Sequence, residues 1–339
     1  MLRKFLVTGA SGQIGQELIP YMLARYGADQ VVVSDIKKVT YKLKDQPKFI
    51  RLDVAKSKHF RAVVEEEKPT HILHLAALLS ARAEESVELA LKVNVDGLHN
   101  ALEIAKDLKT AVYVPSSIAA FGPDSPRNPT PEDCIAKPTT VYGVSKVYTE
   151  LLGSYYHKKF GVDFRSLRYP GAISVTRPTG GTTDYAVEIF YELLVHGTYT
   201  SYLSLNTRLP MMYMDDLLRG TCEFIEADSN KLTRRVYNLA ALSFTPAELT
   251  EEIKKHLPNA VTTVAPGGPD IRQGYADSWP MVLDDSLARK DWGWKHNFDM
   301  PKLVQTMLAN VKETLLPKKA PVPKKASVPK VKKEKVAKN

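Results

Sequence analysis

The sequence of 339 residues contains few cysteines and no long apolar run, and both features restrict what the protein can be. Its two cysteines, Cys134 and Cys222, cannot form a disulfide framework and lie in no metal-ligand spacing, so we expect free thiols and no metal site. No stretch approaches the roughly 18 apolar residues that a membrane-spanning helix needs. An apolar fraction of 44% excludes disorder over the whole chain.

The greater part of the chain also lacks an excess of charge. The net charge is +9, but residues 317–339 carry nine lysines and one glutamate, which leaves 38 basic and 37 acidic residues elsewhere. We therefore expect no nucleic-acid or membrane binding by the globular part. The tail 317–339 is rich in lysine and proline and is predicted to be disordered. A solvated extension is the favoured interpretation of it, and binding of RNA or acidic lipid, or an address signal, is the alternative.

Short apolar runs alternate with segments of helical periodicity. The predicted strands of the first half are 3–8, 31–34, 49–53, 71–77, 111–117 and 164–170, and helices over about 14–26, 59–67, 86–108 and 141–160 lie between them. This alternation predicts an α/β fold with a Rossmann-type, doubly wound parallel sheet. We expect residues 1–175 to form that domain. Because its first strand begins at residue 3, no leader peptide is expected before it.

The second half is less regular. Helices are predicted near 184–195, 215–226, 245–256 and 301–314, with short strands at 235–239 and 261–264. We expect residues 176–316 to form a smaller substrate-binding lobe that returns some strands and helices to the first domain.

Three glycines, Gly9, Gly12 and Gly15, stand between the first predicted strand and the first helix. Small residues there allow a tight turn and let backbone N–H groups at a helix start approach a diphosphate. An ordinary glycine-rich turn is the alternative, but the position in the chain favours a dinucleotide site.

An acidic residue completes this pattern. Asp35 follows Gly15 by twenty residues and ends the second predicted strand. A carboxylate there accepts hydrogen bonds from the adenosine ribose and repels a 2′-phosphate, which favours NAD over NADP. Lys37 and Lys38 would soften the repulsion. Asp53 and Val54 follow the third strand, and contact with the adenine or a plain loop role are equally good interpretations of them.

A tyrosine and a lysine share one face of the predicted helix 141–160. Tyr142 and Lys146 are four residues apart, so the ammonium lies near the phenol. A nearby cation, together with the positive nicotinamide ring of NAD, is expected to lower the pKa of the phenol from about 10 and to make it a base. Ser116 and Ser117 end the fifth strand, where open α/β sheets bind ligands. A hydroxyl there is expected to anchor a substrate oxygen.

With these motifs the chain resembles the extended branch of the short-chain dehydrogenase/reductase superfamily, which includes nucleotide-sugar epimerases and dehydratases. The matching strings are TGASGQIG (8–15), LDV (52–54), HLAA (74–77), NVDG (94–97), PSS (115–117), YGVSK (142–146), LRYPG (167–171) and MYMDD (212–216). The resemblance implies a catalytic set of Ser117, Tyr142 and Lys146. It also implies NAD contacts from Gly9, Ser11, Gly12, Gln13, Ile14, Gly15, Asp35, Asp53, Val54, Leu75, Ala76, Ala77, Asn94, Ser116, Tyr142, Lys146, Tyr169 and Pro170.

Within that branch the chain is most similar to the NAD-dependent L-threonine 3-dehydrogenases. The strings that carry this likeness are PSSIAAFGP (115–123), LRYPGAIS (167–174), GGTTDYAVEIFY (180–191), LPMMYMDDLLRG (209–220) and YADSWPMVLDDS (275–286). The likeness implies oxidation of L-threonine to 2-amino-3-oxobutanoate in threonine catabolism. It also implies functional coupling to 2-amino-3-ketobutyrate CoA ligase, a homodimer, and a mitochondrial location, with the cytoplasm as the alternative.

Substrate contacts are expected in the second half of the chain. The segment of Gly181, Thr182 and Thr183 precedes a predicted helix, so its N–H groups and hydroxyls suit the threonine carboxylate; a helix cap is an equally good interpretation. By resemblance Ser80 contacts the substrate as well, together with the hydroxyl of Ser117 and the phenol of Tyr142. Trp279 is expected either to form an apolar wall beside the threonine methyl group or to belong to the core.

Two other functions are weighed against this one. A nucleotide-sugar epimerase or reductase usually has an asparagine where this chain has Pro170, and MYMDD contains no basic residue to pair with a diphosphate. A catalytically inactive NAD-sensing protein would have no use for an activated phenol.

Overall fold

The computed structural model describes residues 3–39, 46–177 and 180–316. The predicted tail 317–339 lies outside these described residues, as do the side chains of Ser80 and Ala81.

Thirteen strands and twelve α-helices are present in this part of the chain. The strands are β1 (Phe5–Thr8), β2 (Val31–Asp35), β3 (Lys48–Arg51), β4 (His71–His74), β5 (Ala111–Tyr113), β6 (Ser116–Ser117), β7 (Phe164–Tyr169), β8 (Gly171–Ile173), β9 (Thr198–Ser201), β10 (Leu209–Tyr213), β11 (Val236–Asn238), β12 (Leu242–Phe244) and β13 (Val261–Val264). The helices are α1 (Gln13–Tyr26), α2 (Ser57–Glu67), α3 (Ser80–Glu85), α4 (Val87–Leu91), α5 (Gly97–Leu108), α6 (Val141–Phe160), α7 (Tyr185–His196), α8 (Met214–Glu226), α9 (Pro246–Lys254), α10 (Arg272–Ser278), α11 (Ser286–Trp292) and α12 (Met300–Leu315).

The main sheet is parallel and has the order β11–β7–β5–β4–β1–β2–β3, with β6 also paired to β7. Both of its faces are covered. Phe5 and Val7 of β1 belong to one core cluster with α1 and α8, whereas Leu6 belongs to another with α2 and α5. Burial on both faces explains why the strand is an unbroken apolar run rather than an alternating one. The predicted doubly wound Rossmann-type sheet is confirmed.

Helix α6 lies directly on this sheet. Its first turn is capped by Thr140, whose hydroxyl accepts the Gly143 N–H at 3.1 Å, and it ends at Gly161 with a φ of 72°. A side chain at Gly153 would overlap the ring of Phe164 in β7, because a Cβ built there lies 2.2 Å from a ring carbon. Glycine therefore allows the close approach of helix and strand. The predicted bounds of this helix, 141–160, are confirmed.

A third core cluster lies under α7, α9 and α12. There β10 pairs in parallel with β8 and antiparallel with β12, while β9 pairs in parallel with β13. β11 returns to the main sheet, as expected of the second half. The division between residues 175 and 176 stays a prediction.

Three predicted elements differ from those observed. The strand predicted over 71–77 ends at His74, and the one over 111–117 is interrupted between Tyr113 and Ser116. The helix predicted over 86–108 is divided by a π-helical segment at Lys92–Asp96. Helices α3, α10 and α11 and strands β8, β9, β10 and β12 were not predicted, because most of them are too short for a periodic pattern.

Three further observations concern the described residues as a whole. Cys134 and Cys222 are free thiols, as predicted. None of the helices described is long and apolar enough to cross a membrane. No group of three or more histidine, cysteine or acidic side chains in the described ranges is arranged to hold a metal ion.

Candidate active site

One cleft at the carboxyl edge of the main sheet brings together most of the predicted site residues. It runs from the turn after β1, past the ends of β4, β6 and β7, to the start of α7. The predicted residues that line it are Gly9, Gly12, Gln13, Ile14, Gly15, Leu75, Ala77, Ser116, Ser117, Tyr142, Lys146, Tyr169, Pro170, Gly181, Thr182, Thr183 and Trp279. Leu79, Pro115, Ile118, Gly171, Ala172 and Asp184 also line it and were not predicted.

The turn between β1 and α1 is shaped to admit a diphosphate. Gly9 has a φ of 71°, and a Cβ there would lie 2.6 Å from the backbone nitrogen of Ala76. A Cβ on Gly12 would meet only the carbonyl oxygen of Gly9, at 3.2 Å, so its open side faces the cleft. The chain at this corner therefore fits the phosphates of a dinucleotide, which helix N–H groups bind well.

Asp35 lies beside this corner, at the end of β2. One carboxylate oxygen accepts the Ser11 N–H at 2.9 Å, and the other accepts the Lys37 N–H at 3.1 Å. These bonds fix the carboxylate within reach of the adenosine end of a dinucleotide, where it favours a free ribose over a 2′-phosphate. Neither Asp35 nor Ser11 itself lines the cleft.

Four other predicted cofactor residues do not line the cleft. The side chain of Asn94 accepts the Leu78 N–H at 2.8 Å and donates to the Leu78 carbonyl at 3.1 Å. These two bonds hold the chain after β4. Asp53 accepts the N–H of Ala55 at 3.0 Å and closes a turn. The last two, Val54 and Ala76, do not line the cleft either. Contact between these four residues and the cofactor stays a prediction.

Ser117, Tyr142 and Lys146 form one wall of the cleft. The Lys146 nitrogen is 5.3 Å from the centre of the Tyr142 ring and donates to the Pro115 carbonyl at 2.7 Å. The Ser117 oxygen accepts the Ala119 N–H at 3.2 Å, and Ser117 also hydrogen-bonds the Tyr142 phenol. The sequence prediction that the amine and the phenol share one space agrees with this placement.

The predicted direction of the Tyr142 pKa shift is wrong for the protein's own groups. Burial raises the pKa of Tyr142 to about 12, and a hydrogen bond with Ser117 opposes the rise only in part. Burial also lowers the pKa of Lys146 to about 8, against the attraction of Glu150. The reason is desolvation, which disfavours both charged forms and which the sequence pattern does not reveal.

A buried ionic network lies behind Lys146. Glu150 accepts a hydrogen bond from Ser116 at 2.5 Å and two from Arg168, at 3.0 and 2.8 Å. Arg168 also donates to the Glu132 carbonyl at 2.8 Å and to Asn238 at 3.2 Å. Sequence reasoning predicted Ser116 but missed Glu150, Arg168 and their other partners, although Glu150 continues the four-residue spacing of Tyr142 and Lys146.

At the other end of the cleft the predicted carboxylate site needs a correction. The N–H groups of Gly180 and Gly181 are donated to the side chain of Asp184, the first at 2.9 Å, so they are not available to a ligand. The cap residue of α7 is Asp184 rather than a threonine. Among the described residues, the hydroxyls of Thr182 and Thr183 have no hydrogen-bond partner, and both residues line the cleft.

Two further substrate predictions have different outcomes. Trp279 is 5% exposed and lines the cleft, so it belongs to both the wall and the core. Ser80 is the first residue of α3, and its side chain lies outside the described part of the molecule.

Comparison with known proteins agrees with this site. A cattle protein named mitochondrial L-threonine 3-dehydrogenase (Bos taurus) is 50% identical over 309 residues, 90% of this chain and 82% of its own. The crystal structure of an L-threonine dehydrogenase from Phytophthora infestans is 48% identical, has a TM-score of 0.88, and covers 92% of this chain and 100% of its own. A solved L-threonine 3-dehydrogenase from a metagenome, described as monomeric, is 41% identical, has a TM-score of 0.85, and covers 91% and 99%.

The family model that matches is that of the NAD-dependent epimerases and dehydratases, and it spans residues 5–240. This range contains the glycine corner, Asp35, and the wall of Ser117, Tyr142 and Lys146. The resemblance to extended short-chain dehydrogenases drawn from the motifs is confirmed, and with it NAD as the cofactor. The chain belongs to the NAD-dependent epimerase/dehydratase family.

Proposed function

We propose that the protein oxidises the C3 hydroxyl of L-threonine with NAD, giving 2-amino-3-oxobutanoate, NADH and a proton. The observation that carries the proposal is that one cleft joins the glycine corner, the wall of Ser117, Tyr142 and Lys146, and the start of α7. A dinucleotide and a small alcohol therefore fit side by side. The names of relatives at 41–50% identity support threonine as the alcohol.

Tyr142 would take the hydroxyl proton as the C3–H bond breaks. The bound NAD supplies the hydride acceptor and a positive ring. Ser117, which hydrogen-bonds the Tyr142 phenol, would donate its proton to the substrate oxygen and hold the C3 carbon toward the nicotinamide position. The Lys146 ammonium, fixed by the Pro115 carbonyl, would stabilise the phenolate once the substrate closes the cleft.

The far end of the cleft suits the rest of threonine. The hydroxyls of Thr182 and Thr183 are available to its carboxylate, and the indole of Trp279 gives its methyl group an apolar wall. Among the lining residues of the described chain there is no arginine to bind a second diphosphate. This feature, with Pro170 in place of the usual asparagine, favours a small substrate over a nucleotide sugar.

Absorbance at the NADH band is the direct test. Purified protein is given L-threonine, L-serine, 3-hydroxybutyrate or UDP-galactose, each with NAD and with NADP. We expect the largest kcat/KM for L-threonine with NAD. Epimerisation of UDP-galactose on tightly retained NAD, without threonine turnover, would establish the nucleotide-sugar alternative instead. Binding of NAD with no turnover of any alcohol would favour the inactive sensor.

We also propose a homodimer formed through α6. Val144, Leu151 and Tyr155 are 50%, 69% and 52% exposed and follow helical spacing on the side of α6 opposite Tyr142. An exposed apolar stripe of this kind is typical of an interface. Light scattering after gel filtration should give twice the chain mass, and Leu151→Glu should give one. A monomeric wild type, as described for the metagenome relative, would refute the proposal.

The cellular context is proposed on the relatives alone. We propose that the reaction belongs to threonine catabolism, with the product passed to 2-amino-3-ketobutyrate CoA ligase. A mitochondrial location is suggested by the name of the cattle relative. Fractionation of cells that contain the protein would distinguish the mitochondrion from the cytoplasm, and a coupled assay with the ligase would detect transfer of the product.

A further inference from the structure

The cleft has only two charged side chains among its described lining residues, Lys146 and Asp184. They lie on different walls: Lys146 on α6, beside the phenol, and Asp184 next to Thr182 and Thr183 at the start of α7. The Lys146 ammonium donates to the Pro115 carbonyl. Asp184 is therefore the one anionic side chain that a molecule in this cleft meets, as far as the structure describes it.

Asp184 is a buried carboxylate without a cation. Its residue is 8% exposed, and it forms no ion pair with any described residue. The nearby guanidinium of Arg272 is paired with Asp270 at 2.6 Å and stacks on the ring of Tyr202. Burial raises the pKa of Asp184 to about 6 against the two glycine N–H bonds, and the repulsion from Glu188, one turn further along α7, exceeds the attraction of Arg272. An unpaired buried carboxylate is costly, so a ligand that supplies a cation would bind there with a gain.

Only one oxygen of this carboxylate is used by the fold. Oδ2 accepts the N–H groups of both Gly180 and Gly181 and so holds the turn before α7. Oδ1 accepts no hydrogen bond from the described residues. A residue needed solely for the turn would require one acceptor, which an asparagine also supplies.

We propose that Asp184 binds the α-ammonium group of the substrate and makes the cleft specific for β-hydroxy-α-amino acids. This inference rests on the proposed function. An amino acid carries its ammonium and carboxylate on the same carbon, next to the C3 that faces Tyr142. With the carboxylate at Thr182 and Thr183, the ammonium lies toward the adjacent Asp184. The same carboxylate repels the second diphosphate of a nucleotide sugar.

The test compares Asp184→Asn with wild type. Asparagine keeps an acceptor for the Gly180 and Gly181 N–H groups and removes only the charge. We expect KM for L-threonine to rise roughly 10- to 100-fold, as for loss of a charge-assisted hydrogen bond, with KM for NAD unchanged. The inhibition constant of (R)-3-hydroxybutyrate, which is threonine without the amino group and with the same C3 arrangement, should change less than about twofold. Glu188→Gln, which removes a neighbouring charge outside the cleft, is the matched control and should change neither constant.

If Asp184→Asn weakens the binding of threonine and of (R)-3-hydroxybutyrate equally, the residue serves the turn alone and the proposal is overturned. The proposal is also overturned if the substitution changes the binding of neither compound. If the variant does not fold, the wild type decides: threonine should bind at least about tenfold more tightly than (R)-3-hydroxybutyrate, and equal binding would refute ammonium recognition. A wild type that does not oxidise threonine refutes the proposed function instead, so the two failures are distinguishable.

Discussion

Helix α6 contributes to two buried polar clusters that differ in how completely their hydrogen bonds are satisfied. The first, formed by Ser117, Tyr142 and Lys146, faces the cleft and places a phenol and a hydroxyl within reach of a ligand. The second, formed by Glu150, Arg168 and their partners, is closed. Four of the hydrogen bonds around Arg168 lie between 2.8 and 3.2 Å.

The difference shows that one helix contributes to a cluster suited to catalysis and to another that stabilises the fold. A buried polar group that is fully bonded rigidifies the fold and has nothing left for a ligand. One that keeps bonding capacity while lining a cleft is costly to the fold and useful to a substrate. Substitutions in the first cluster should therefore change turnover with little effect on stability, and substitutions in the second should do the reverse.

The largest expected effect is that of Tyr142→Phe. Removing the hydroxyl removes the base, so kcat for threonine oxidation should fall by about 10³-fold or more. Stability in urea should stay within about 0.5 kcal/mol, because the ring remains and the deleted oxygen faces the cleft. Turnover within a few-fold of wild type would remove Tyr142 from the mechanism.

The next effect tests the closed cluster. Arg168→Met leaves the buried carboxylate of Glu150 without its guanidinium and leaves Glu132 with Arg234 alone, which should lower the free energy of unfolding by about 3 kcal/mol or more. Urea denaturation measures it. The control is Arg61→Met, which breaks an exposed pair with Asp107 and should cost less than about 1 kcal/mol. Equal costs for the two would show that the network around Arg168 adds nothing to the fold.

A smaller effect is expected at the cofactor end of the cleft. Asp35→Asn keeps an acceptor for the Ser11 N–H but removes the charge that opposes a 2′-phosphate. The ratio of kcat/KM with NAD to that with NADP should fall about tenfold, a difference of about 1.4 kcal/mol. An unchanged ratio would mean that the ribose end is selected elsewhere.

The smallest effect concerns acid stability. Burial lowers the pKa of His74 to about 3, and its Nδ1 lies 3.1 Å from the Thr8 hydroxyl. Below the ordinary histidine pKa of about 6.5, His74 is protonated in the unfolded chain but stays neutral in the folded chain. The free energy of unfolding therefore falls as the pH falls. Between pH 6 and 5 this residue should account for about 1 kcal/mol. His74→Asn should abolish that share of the slope in urea titrations, whereas His59→Asn, on the exposed side of α2, should not.

The features that the sequence predicted well depend on residues that are close together in the chain. The glycine corner depends on three glycines within seven residues, and Tyr142 and Lys146 are neighbours on one helix, so a pattern in the chain determines both. The parallel sheet followed from alternating periodicities. These signals need no knowledge of tertiary contacts.

What could not be predicted depends on residues that are distant in sequence. Arg168 meets Asn238, 70 positions away, only because β11 pairs with β7. The Asp184 side chain takes the N–H groups that were assigned to a ligand because the turn before α7 folds back on it. The rise in the pKa of Tyr142 reflects burial, which results from packing of the whole fold.

Gly153 illustrates what this packing means for turnover. The helix that contains it is a stiff rod, and position 153 lies about 10 Å along the axis from Lys146 and about 16 Å from Tyr142. A methyl group at 153 would overlap the Phe164 ring and force the helix away from the sheet. The position of Tyr142 and Lys146 thus depends on a contact far from any ligand. A substitution at residue 153 would therefore slow the reaction although it lies outside the active site.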